Sequence, residues 1–151
     1  MLDLGSGIGT IGITIKNRLP NVKVIGIEIC EEAVEDSKRN CPDYEVYLGR
    51  AEDHIKTVCE ANRGKRIVAI LDPPRAGFNK EVLVTLRRTR GIDNIIYVAC
   101  NAKAIQENLL QLTLPVTARR KAPHFVIKKM IGLDLFPQTP HYEALYVMER
   151  T

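Results

Sequence analysis

The sequence predicts an α/β fold in which helices flank a mostly parallel, doubly wound β-sheet. Short apolar runs rich in Val and Ile alternate with amphipathic segments up to Leu112, which is typical of buried strands joined by helices. After Leu114 two more strand-like runs follow with no long helix between them, so we expect an antiparallel pair at one end of the sheet. In such folds, ligands bind at the carboxyl ends of the parallel strands.

The first part of the chain begins this alternation. Leu2–Leu4 is an apolar strand end that runs into a glycine-rich turn. Ile8–Arg18 is predicted as a helix, which Pro20 closes. Val22–Glu28 is apolar and β-branched, as expected of a strand covered on both faces. Glu31–Arg39 has acidic residues in its first turn and basic residues in its last, which favours a helix because it matches the helix dipole.

The middle of the chain repeats the pattern. Val46–Leu48 is a short predicted strand, and Glu52–Ala61 is a predicted helix that ends near Gly64. Arg66–Leu71 contains an apolar, β-branched run, and the two prolines that soon follow it indicate where this strand stops.

The last part of the chain completes the sheet. Lys80–Arg90 is predicted to be helical and Asn94–Ala99 to be a strand. Lys103–Leu112 has apolar residues at helical spacing, which predicts an amphipathic helix. Phe125–Leu133 and Tyr142–Glu149 are the two runs that we expect to pair antiparallel.

Composition excludes several classes of protein. The 151 residues suit one domain, 1–151, and a chain with 45% hydrophobic and 26% charged residues is not intrinsically disordered. No apolar run approaches the ~20 residues of a membrane helix. The net charge of +4 is compatible with a polyanionic partner. Because the chain opens inside its first motif, we expect a domain that is shortened on its amino-terminal side.

The cysteines are far apart in the sequence, at Cys30, Cys41, Cys59 and Cys100. They form no C-x-x-C motif and have no clustered histidines beside them, so neither a metal site nor a disulfide framework is expected. With no secretory signal, the sequence predicts an intracellular location, in the cytoplasm, the nucleus or an organelle.

A glycine loop follows the first strand: Asp3-Leu-Gly5-Ser-Gly7-Ile-Gly9. Glycine lets the backbone turn tightly and approach a ligand, and the helix that follows offers free amides. Glu28 ends the second strand, where a carboxylate can accept both hydroxyls of a ribose. This spacing, with Asp3 ahead of the loop, resembles the S-adenosylmethionine loop of class I methyltransferases. An NAD site and a simple tight turn are the alternatives.

Two more polar segments follow strands. Glu52 lies after the third strand, where this fold places an acid near the adenine amino group, although it can instead stabilise the helix dipole. Asp72-Pro73-Pro74-Arg75 ends the fourth strand, and its prolines stiffen the loop that presents Asp72 and Arg75. Amine-methylating enzymes have an aromatic residue where Arg75 stands, so the arginine points away from an exocyclic amine as target.

Cys100 ends the fifth strand, ahead of a predicted helix whose N-terminus would favour the reactive thiolate. In a methyl-transferring fold, a thiolate that adds to C6 of a pyrimidine activates C5 for methylation. Glu143 enters the last apolar run next to His141, and a carboxylate there can then remove the C5 proton. An inert cysteine and a solvent-exposed edge-strand glutamate are the alternatives.

Together these segments resemble the RNA uracil-5-methyltransferase family, in particular its eukaryotic tRNA-modifying branch. The motifs are D-L-G-S-G-I-G, D-P-P-R-A-G, Y-V-A-C-N and D-L-F-P-Q-T-P-H-Y-E, in this order along the chain. The resemblance implies a Rossmann-like class I methyltransferase fold, S-adenosylmethionine as cofactor, and methylation of uridine C5 in RNA, with tRNA as the expected partner. Ser6 and Ala102 differ from the residues usual in the family, but neither change removes a reacting group.

Each motif then has an expected role. The catalytic residues are Cys100 as nucleophile and Glu143 as base. The cofactor is expected at Asp3, Gly5, Gly7, Glu28, Glu52 and Asp72, and the substrate at Asp72, Arg75, Asn101 and His141. Family members carry an enclosing segment upstream of the first strand, and many have a separate RNA-binding module. We expect neither within this domain.

Two basic clusters can follow the phosphates of an RNA, or can simply be solvated surface. The first cluster is Arg119, Arg120, Lys121, Lys128 and Lys129, and the second is Arg87, Arg88 and Arg90. Two other functions are open at this point. One is a class I methyltransferase that acts on an exocyclic amine or a protein, and the other is an RNA-binding or interaction module that kept the fold without turnover.

Overall fold

The computed structural model describes residues 1–117 and 122–151, which form one sheet with helices packed around it. The strands are β1 (Leu2–Leu4), β2 (Ile25–Glu28), β3 (Glu45–Leu48), β4 (Ile67–Leu71), β5 (Ile92–Ala99), β6 (Phe125–Leu133) and β7 (Glu143–Arg150). The helices are α1 (Thr10–Arg18), α2 (Glu31–Asn40), α3 (Ala51–Ala61), α4 (Lys80–Arg88) and α5 (Gln106–Thr113).

The strand order is β3-β2-β1-β4-β5-β7-β6. Strands β1 to β5 are parallel, whereas β7 pairs antiparallel with both β5 and β6. The chain runs outward from β1 to β3 and then returns to β4, so right-handed crossovers put α1 and α2 on one face and α3 and α4 on the other. The predicted doubly wound sheet and its antiparallel carboxyl-terminal pair are confirmed.

The strand order reverses between β1 and β4, which is where a doubly wound sheet binds its ligand. We call the side of the sheet at the carboxyl ends of β1 to β5 the carboxyl edge, and the opposite side the amino edge. The first residues of β7 lie at the carboxyl edge, because β7 runs against β5.

Two helices begin later than the sequence predicts. Helix α1 begins at Thr10, after Gly9 has turned the chain with a left-handed φ of 86°. Helix α5 begins at Gln106 and not at Lys103. The residues after β5 first make a turn, which the Ala104 amide closes by donating to the Asn101 carbonyl at 3.1 Å.

The core lies between the central strands and the helices. Leu4, Ile27, Leu71 and Ile95 are fully buried on β1, β2, β4 and β5, and they share one cluster with Ile55, Leu83, Leu86 and Leu112 from α3, α4 and α5. Each such side chain stabilises the fold by roughly 1.5–3 kcal/mol relative to an exposed one. The carboxyl edge therefore rests on a well-packed layer.

Two arginines close the amino edge. Arg150 lies 4.4 Å from the ring centroid of Phe125 and donates to the carbonyls of Leu86, Arg87, Thr89 and Ile92 at 2.5–3.0 Å. Arg87 is 4% exposed and donates to the carbonyls of Gln111, Ala122 and Pro123. It is Arg150 that satisfies the end of α4, through the carbonyls of Leu86, Arg87 and Thr89. We call this pair the arginine clamp.

The predicted basic clusters are only partly available for RNA. Arg87 is bound within the clamp, so its expected place in a phosphate-binding cluster is wrong, whereas Arg88 and Arg90 are exposed. Lys128 pairs with Glu149 at 3.4 Å on the surface of the β6–β7 pair. Residues 119–121 of the first cluster lie outside the described residues.

None of the helices in the described parts of the chain is long and apolar enough to cross a membrane. Within residues 1–117 and 122–151, no group of three or more His, Cys, Asp or Glu side chains is placed to hold a metal ion.

Candidate active site

The glycine loop lies at the switch point between β1 and α1. Gly5, Gly7 and Gly9 have φ values of 73°, 53° and 86°. A side chain has no room at Gly5, because a Cβ there would lie 2.7 Å from the carbonyl oxygen of Asp72. The Gly7 amide donates to Glu28 Oε2 at 2.8 Å, across the gap between the loop and the end of β2. The structure thus brings together the loop and the carboxylate that were predicted to hold the cofactor.

Asp3 lies beneath the glycine loop and is 1% exposed. Its Oδ2 accepts a long hydrogen bond of 3.4 Å from the Tyr44 hydroxyl. Asp3 Oδ1 and Ser6 Oγ are buried, and neither has a hydrogen-bond partner among the described residues. Burial, followed by the negative charge of Asp72, raises the pKa of Asp3 to about 6. Buried oxygens without partners beside a glycine loop fit a ligand that brings hydrogen-bond donors.

Glu52 lies in the first turn of α3, and the chain already gives it partners. Its Oε1 accepts from Arg50 at 2.6 and 2.8 Å and from the Asn79 side chain at 3.3 Å. Burial alone would raise the pKa of Glu52, but hydrogen bonds from its own amide, Arg50 and Asn79 outweigh it and lower the pKa. A contact of Glu52 with an adenine stays a prediction.

Asp72 follows β4, and its amide donates to the Leu4 carbonyl of β1 at 3.1 Å. The carboxyl retains access to solvent, yet the packing around it raises its pKa, and the negative charge of Glu143 raises the pKa further. Arg75 is exposed in the turn that the Gly77 amide closes on the Pro74 carbonyl at 2.8 Å. The loop therefore presents Asp72 and Arg75 at the carboxyl edge, although their contact with substrate stays a prediction.

Strand register makes Cys100 and Glu143 neighbours at the carboxyl edge. Ala99 of β5 pairs with Ala144 of β7, so Cys100 and Glu143 are the next residues beyond that pair toward the carboxyl edge. Cys100 is exposed and Glu143 is half-buried. The negative charge of Glu143 also raises the pKa of Asp72. Cys100, Glu143 and Asp72 therefore lie in one region near the end of β5.

Asn101 and His141, the other predicted substrate contacts, are exposed and take part in local turns. Asn101 Oδ1 accepts from the Ala104 amide at 3.3 Å, and the His141 amide donates to Thr139 Oγ1 at 3.2 Å. Since residues 101–105 separate Cys100 from the start of α5, Cys100 is not in the first turn of a helix. The expectation that this helix N-terminus activates Cys100 is wrong.

The other cysteines differ from Cys100 in their surroundings. Cys59 is buried in the core, and burial raises its pKa to about 11. A hydrogen bond to Asp43 raises the pKa of Cys41. Cys30 is exposed at the start of α2, after β2 and away from the end of β5. A thiolate is the reactive form of cysteine, so neither Cys41 nor Cys59 is suited to catalysis.

Two residues near the site were missed by sequence reasoning. Tyr44, in the turn before β3, reaches Asp3 because glycine at position 12 leaves room: a Cβ there would overlap the Tyr44 hydroxyl. Asn108, on the buried face of α5, binds the backbone of Phe78. A turn tyrosine carries no pattern that could have found it. A polar residue within an amphipathic helix was a weak signal for Asn108.

Solved structures define the class of protein to which this fold belongs. M. capricolum TrmK in complex with S-adenosyl-homocysteine matches with a TM-score of 0.65 at 12% identity, covering 99% of this chain and 61% of that one. TrmN from Thermus thermophilus matches with a TM-score of 0.62 at 13% identity, covering 99% and 43%. The methyltransferase small domain model matches residues 1–87. The fold is that of an S-adenosylmethionine-dependent methyltransferase.

Sequence comparison identifies the family. The tRNA (uracil-5-)-methyltransferase family model matches residues 60–151. The human tRNA (uracil-5-)-methyltransferase homolog A is 40% identical over 155 residues, and the tRNA (uracil(54)-C(5))-methyltransferase of Pyrococcus furiosus is 30% identical over 150 residues. The chain belongs to the tRNA (uracil-5-)-methyltransferase family, which confirms the predicted resemblance. The alignments cover 99% of the chain, which spans 24% of the human relative and 33% of the archaeal one.

Proposed function

We propose that this chain is the catalytic part of an enzyme that methylates C5 of uridine in tRNA, with S-adenosylmethionine as methyl donor. The observation that carries the proposal is that Cys100 and Glu143 are neighbours by strand register at the end of β5, with Asp72 near enough for the charge of Glu143 to raise its pKa. Nucleophile and base are the two groups that C5 methylation requires. Membership of the tRNA (uracil-5-)-methyltransferase family supports RNA as the class of substrate.

The residues around the glycine loop fit the cofactor. The amides of Gly7, Ile29 and Cys30 hold the Glu28 carboxylate at 2.8–2.9 Å, which supports a role for Glu28 as acceptor of ribose hydroxyls. The unpartnered oxygens of Asp3 and Ser6 suit the donors of a positively charged group. When bound, the cofactor supplies an electrophilic methyl group.

The Cys100 thiolate supplies the activation that uracil lacks. Its sulfur forms a bond to C6, and the electrons of the C5–C6 double bond move toward the O4 carbonyl, which makes C5 an enolate-like nucleophile. C5 would then form its bond to the methyl group while the bond between that methyl and the sulfonium sulfur of the donor breaks, and the electron pair of the broken bond would stay on the sulfur. A uridine inside folded RNA must leave its stack to reach Cys100, which costs a few kcal/mol.

Glu143 completes the reaction as the base. It takes the proton from C5, and the electron pair of that C–H bond restores the C5–C6 double bond and expels the Cys100 thiolate. The packing around Asp72, and then the negative charge of Glu143, raise the pKa of Asp72, because like charges close together disfavour the ionised form.

A 5-fluorouridine substrate tests the role of the thiol, because fluorine at C5 blocks proton removal and traps the covalent adduct. With tRNA containing this base and S-adenosylmethionine, the natural protein is expected to give a stable adduct on denaturing gels. Cys100→Ala is expected to give none, whereas Cys41→Ala, a change at a cysteine that contacts Asp43, keeps it. Adduct formation by Cys100→Ala at the level of the natural protein overturns the mechanism.

A further inference from the structure

Asn108 makes a compact set of hydrogen bonds behind the site. It lies on α5 and is 7% exposed. Its Oδ1 accepts from the Phe78 amide at 2.7 Å, and its Nδ2 donates to the Phe78 carbonyl at 3.0 Å. One side chain therefore binds both backbone polar groups of Phe78, at the end of the loop that begins with Asp72.

Tyr97 adds a third bond from the strand that leads to Cys100. Its hydroxyl donates to Asn108 Oδ1 at 2.7 Å. Tyr97 is fully buried on β5, and this burial raises its pKa, so the hydroxyl keeps its proton and remains a donor at neutral pH. Asn108 thus connects the Asp72 loop to β5 in a dry environment, where hydrogen bonds fix geometry strongly.

The loop around Phe78 is shaped to fit this contact. Gly77 has a φ of 81°, and a Cβ there would lie 2.7 Å from Asn108 Oδ1. The Phe78 ring points toward the glycine loop: a Cβ built at Gly5 would lie 3.6 Å from the tip of the ring. Phe78 is therefore held between Asn108 and the proposed cofactor site.

We propose that Asn108 is a positioning residue, which holds segment 72–78 between the glycine loop and β5 so that Asp72 and Arg75 stay aligned with Cys100. Its effect on turnover rests on the proposed function, whereas the restraint on Phe78 does not. A displacement of about 1 Å in such a constellation can cost about 10²-fold in rate. Losing the Asn108 side chain releases both polar groups of Phe78 at once.

Kinetics of Asn108→Ala test the proposal at a temperature where every variant is folded. The kcat for uridine methylation is expected to fall about 10²-fold, with the KM for tRNA changed by less than about threefold. Tyr97→Phe removes one of the three bonds and is expected to give a smaller loss. Leu112→Ala is the matched control, because Leu112 is fully buried on the same helix. It is expected to lower Tm and keep kcat.

Equal loss of kcat in Asn108→Ala and Leu112→Ala overturns the proposal, because it assigns Asn108 a merely structural role. An unchanged kcat in Asn108→Ala overturns it as well.

Hydrogen exchange of the Phe78 amide gives a readout that needs no turnover. Asn108→Ala is expected to speed this exchange well beyond that of neighbouring amides, and Leu112→Ala is not. If the exchange of Phe78 is unaffected in Asn108→Ala, the restraint is absent and the inference is wrong. If the natural protein methylates no uridine, the proposed function fails, and the exchange result alone decides whether Asn108 holds the loop.

Discussion

Arg150 and Asp72 lie at opposite edges of one sheet, and the chain treats their charges in opposite ways. At the amino edge, Arg150 donates to backbone carbonyls and covers the ring of Phe125. At the carboxyl edge, Asp72 lies near a second carboxylate, that of Glu143, and its pKa is raised in consequence of packing and of that charge. The guanidinium of Arg150 is bound by four carbonyl groups, whereas the carboxyl of Asp72 lies near a group of the same charge.

The difference separates stability from chemistry. A buried charge with hydrogen-bond partners stabilises the structure around it, and its removal leaves those partners unsatisfied. Groups with perturbed pKa values and unpartnered atoms occur at functional sites, where a ligand completes them. On this basis, changes at the carboxyl edge should alter turnover, and changes at the amino edge should alter the free energy of unfolding.

The largest expected effect is that of Glu143→Gln. Without a base, proton removal from C5 should slow about 10³-fold, so the covalent adduct with ordinary tRNA accumulates and turnover falls. The Tm should change little, because Glu143 is only half-buried. Denaturing gels and initial rates measure both quantities.

The same substitution should also lower the pKa of Asp72 toward its ordinary value, since the negative charge of Glu143 contributes to the rise. Glu149→Gln is the control, because Glu149 lies on the same strand but pairs with Asn94 near the amino edge. It should keep full turnover. Turnover of Glu143→Gln within a factor of two of the natural protein would contradict the role of Glu143.

Arg150→Met is expected to be the largest change in stability. The substitution keeps an apolar stem over Phe125 but leaves the carbonyls at the end of α4 without their donor, which should lower the free energy of unfolding by about 3 kcal/mol. Urea titration measures this loss. Arg88→Met, at an exposed neighbour, should stay within about 0.5 kcal/mol. A loss of kcat without a loss of stability in Arg150→Met would contradict the conclusion that the amino edge serves stability and not turnover.

Asp3→Asn should have a smaller, pH-dependent effect. The pKa of Asp3 is raised from 3.8 to about 6 in the folded protein, so the folded state holds this proton more tightly than the unfolded state. The resulting stabilisation is fully present below about pH 4 and is lost as the pH rises through about 6. Relative to the natural protein, Asp3→Asn should gain about 2 kcal/mol between pH 4 and pH 7, because a small part of the stabilisation is already lost at pH 4. Urea titrations across this range measure the gain, and an unchanged difference between the two pH values would contradict the raised pKa.

Most of the fold could be predicted because its strands carry their own signals. Val22–Glu28 and Arg66–Leu71 are apolar and β-branched, so their burial on both faces follows from composition. Element ends were less accurate. Helix α5 begins at Gln106 because a turn at Asn101 intervenes. Asparagine favours turns, and Asn101 Oδ1 accepts from the Ala104 amide, but the apolar spacing from Lys103 onward pointed to a longer helix.

The residues of the site likewise differ in how well the sequence predicted them. The positions of Cys100 and Glu143 at strand ends could be predicted, and the pairing of Ala99 with Ala144 makes them neighbours; their catalytic roles stay predictions. Tyr44 and Asn108 could not be assigned, because their roles depend on the side chains that the fold places opposite them. Arg87 misled for a related reason: its sequence neighbours Arg88 and Arg90 suggest a charged surface, but α4 turns Arg87 inward.

The antiparallel direction of β7 has a consequence for the folding of the chain during its synthesis on the ribosome. The strand that leads to Cys100 emerges long before β7, and until then one side of β5 has no neighbour to satisfy its backbone groups. A nascent chain that stalls before Glu143 would expose Cys100 beside an unpaired strand, which favours aggregation. Translation of the last strand therefore both completes the sheet and brings in Glu143, the proposed base.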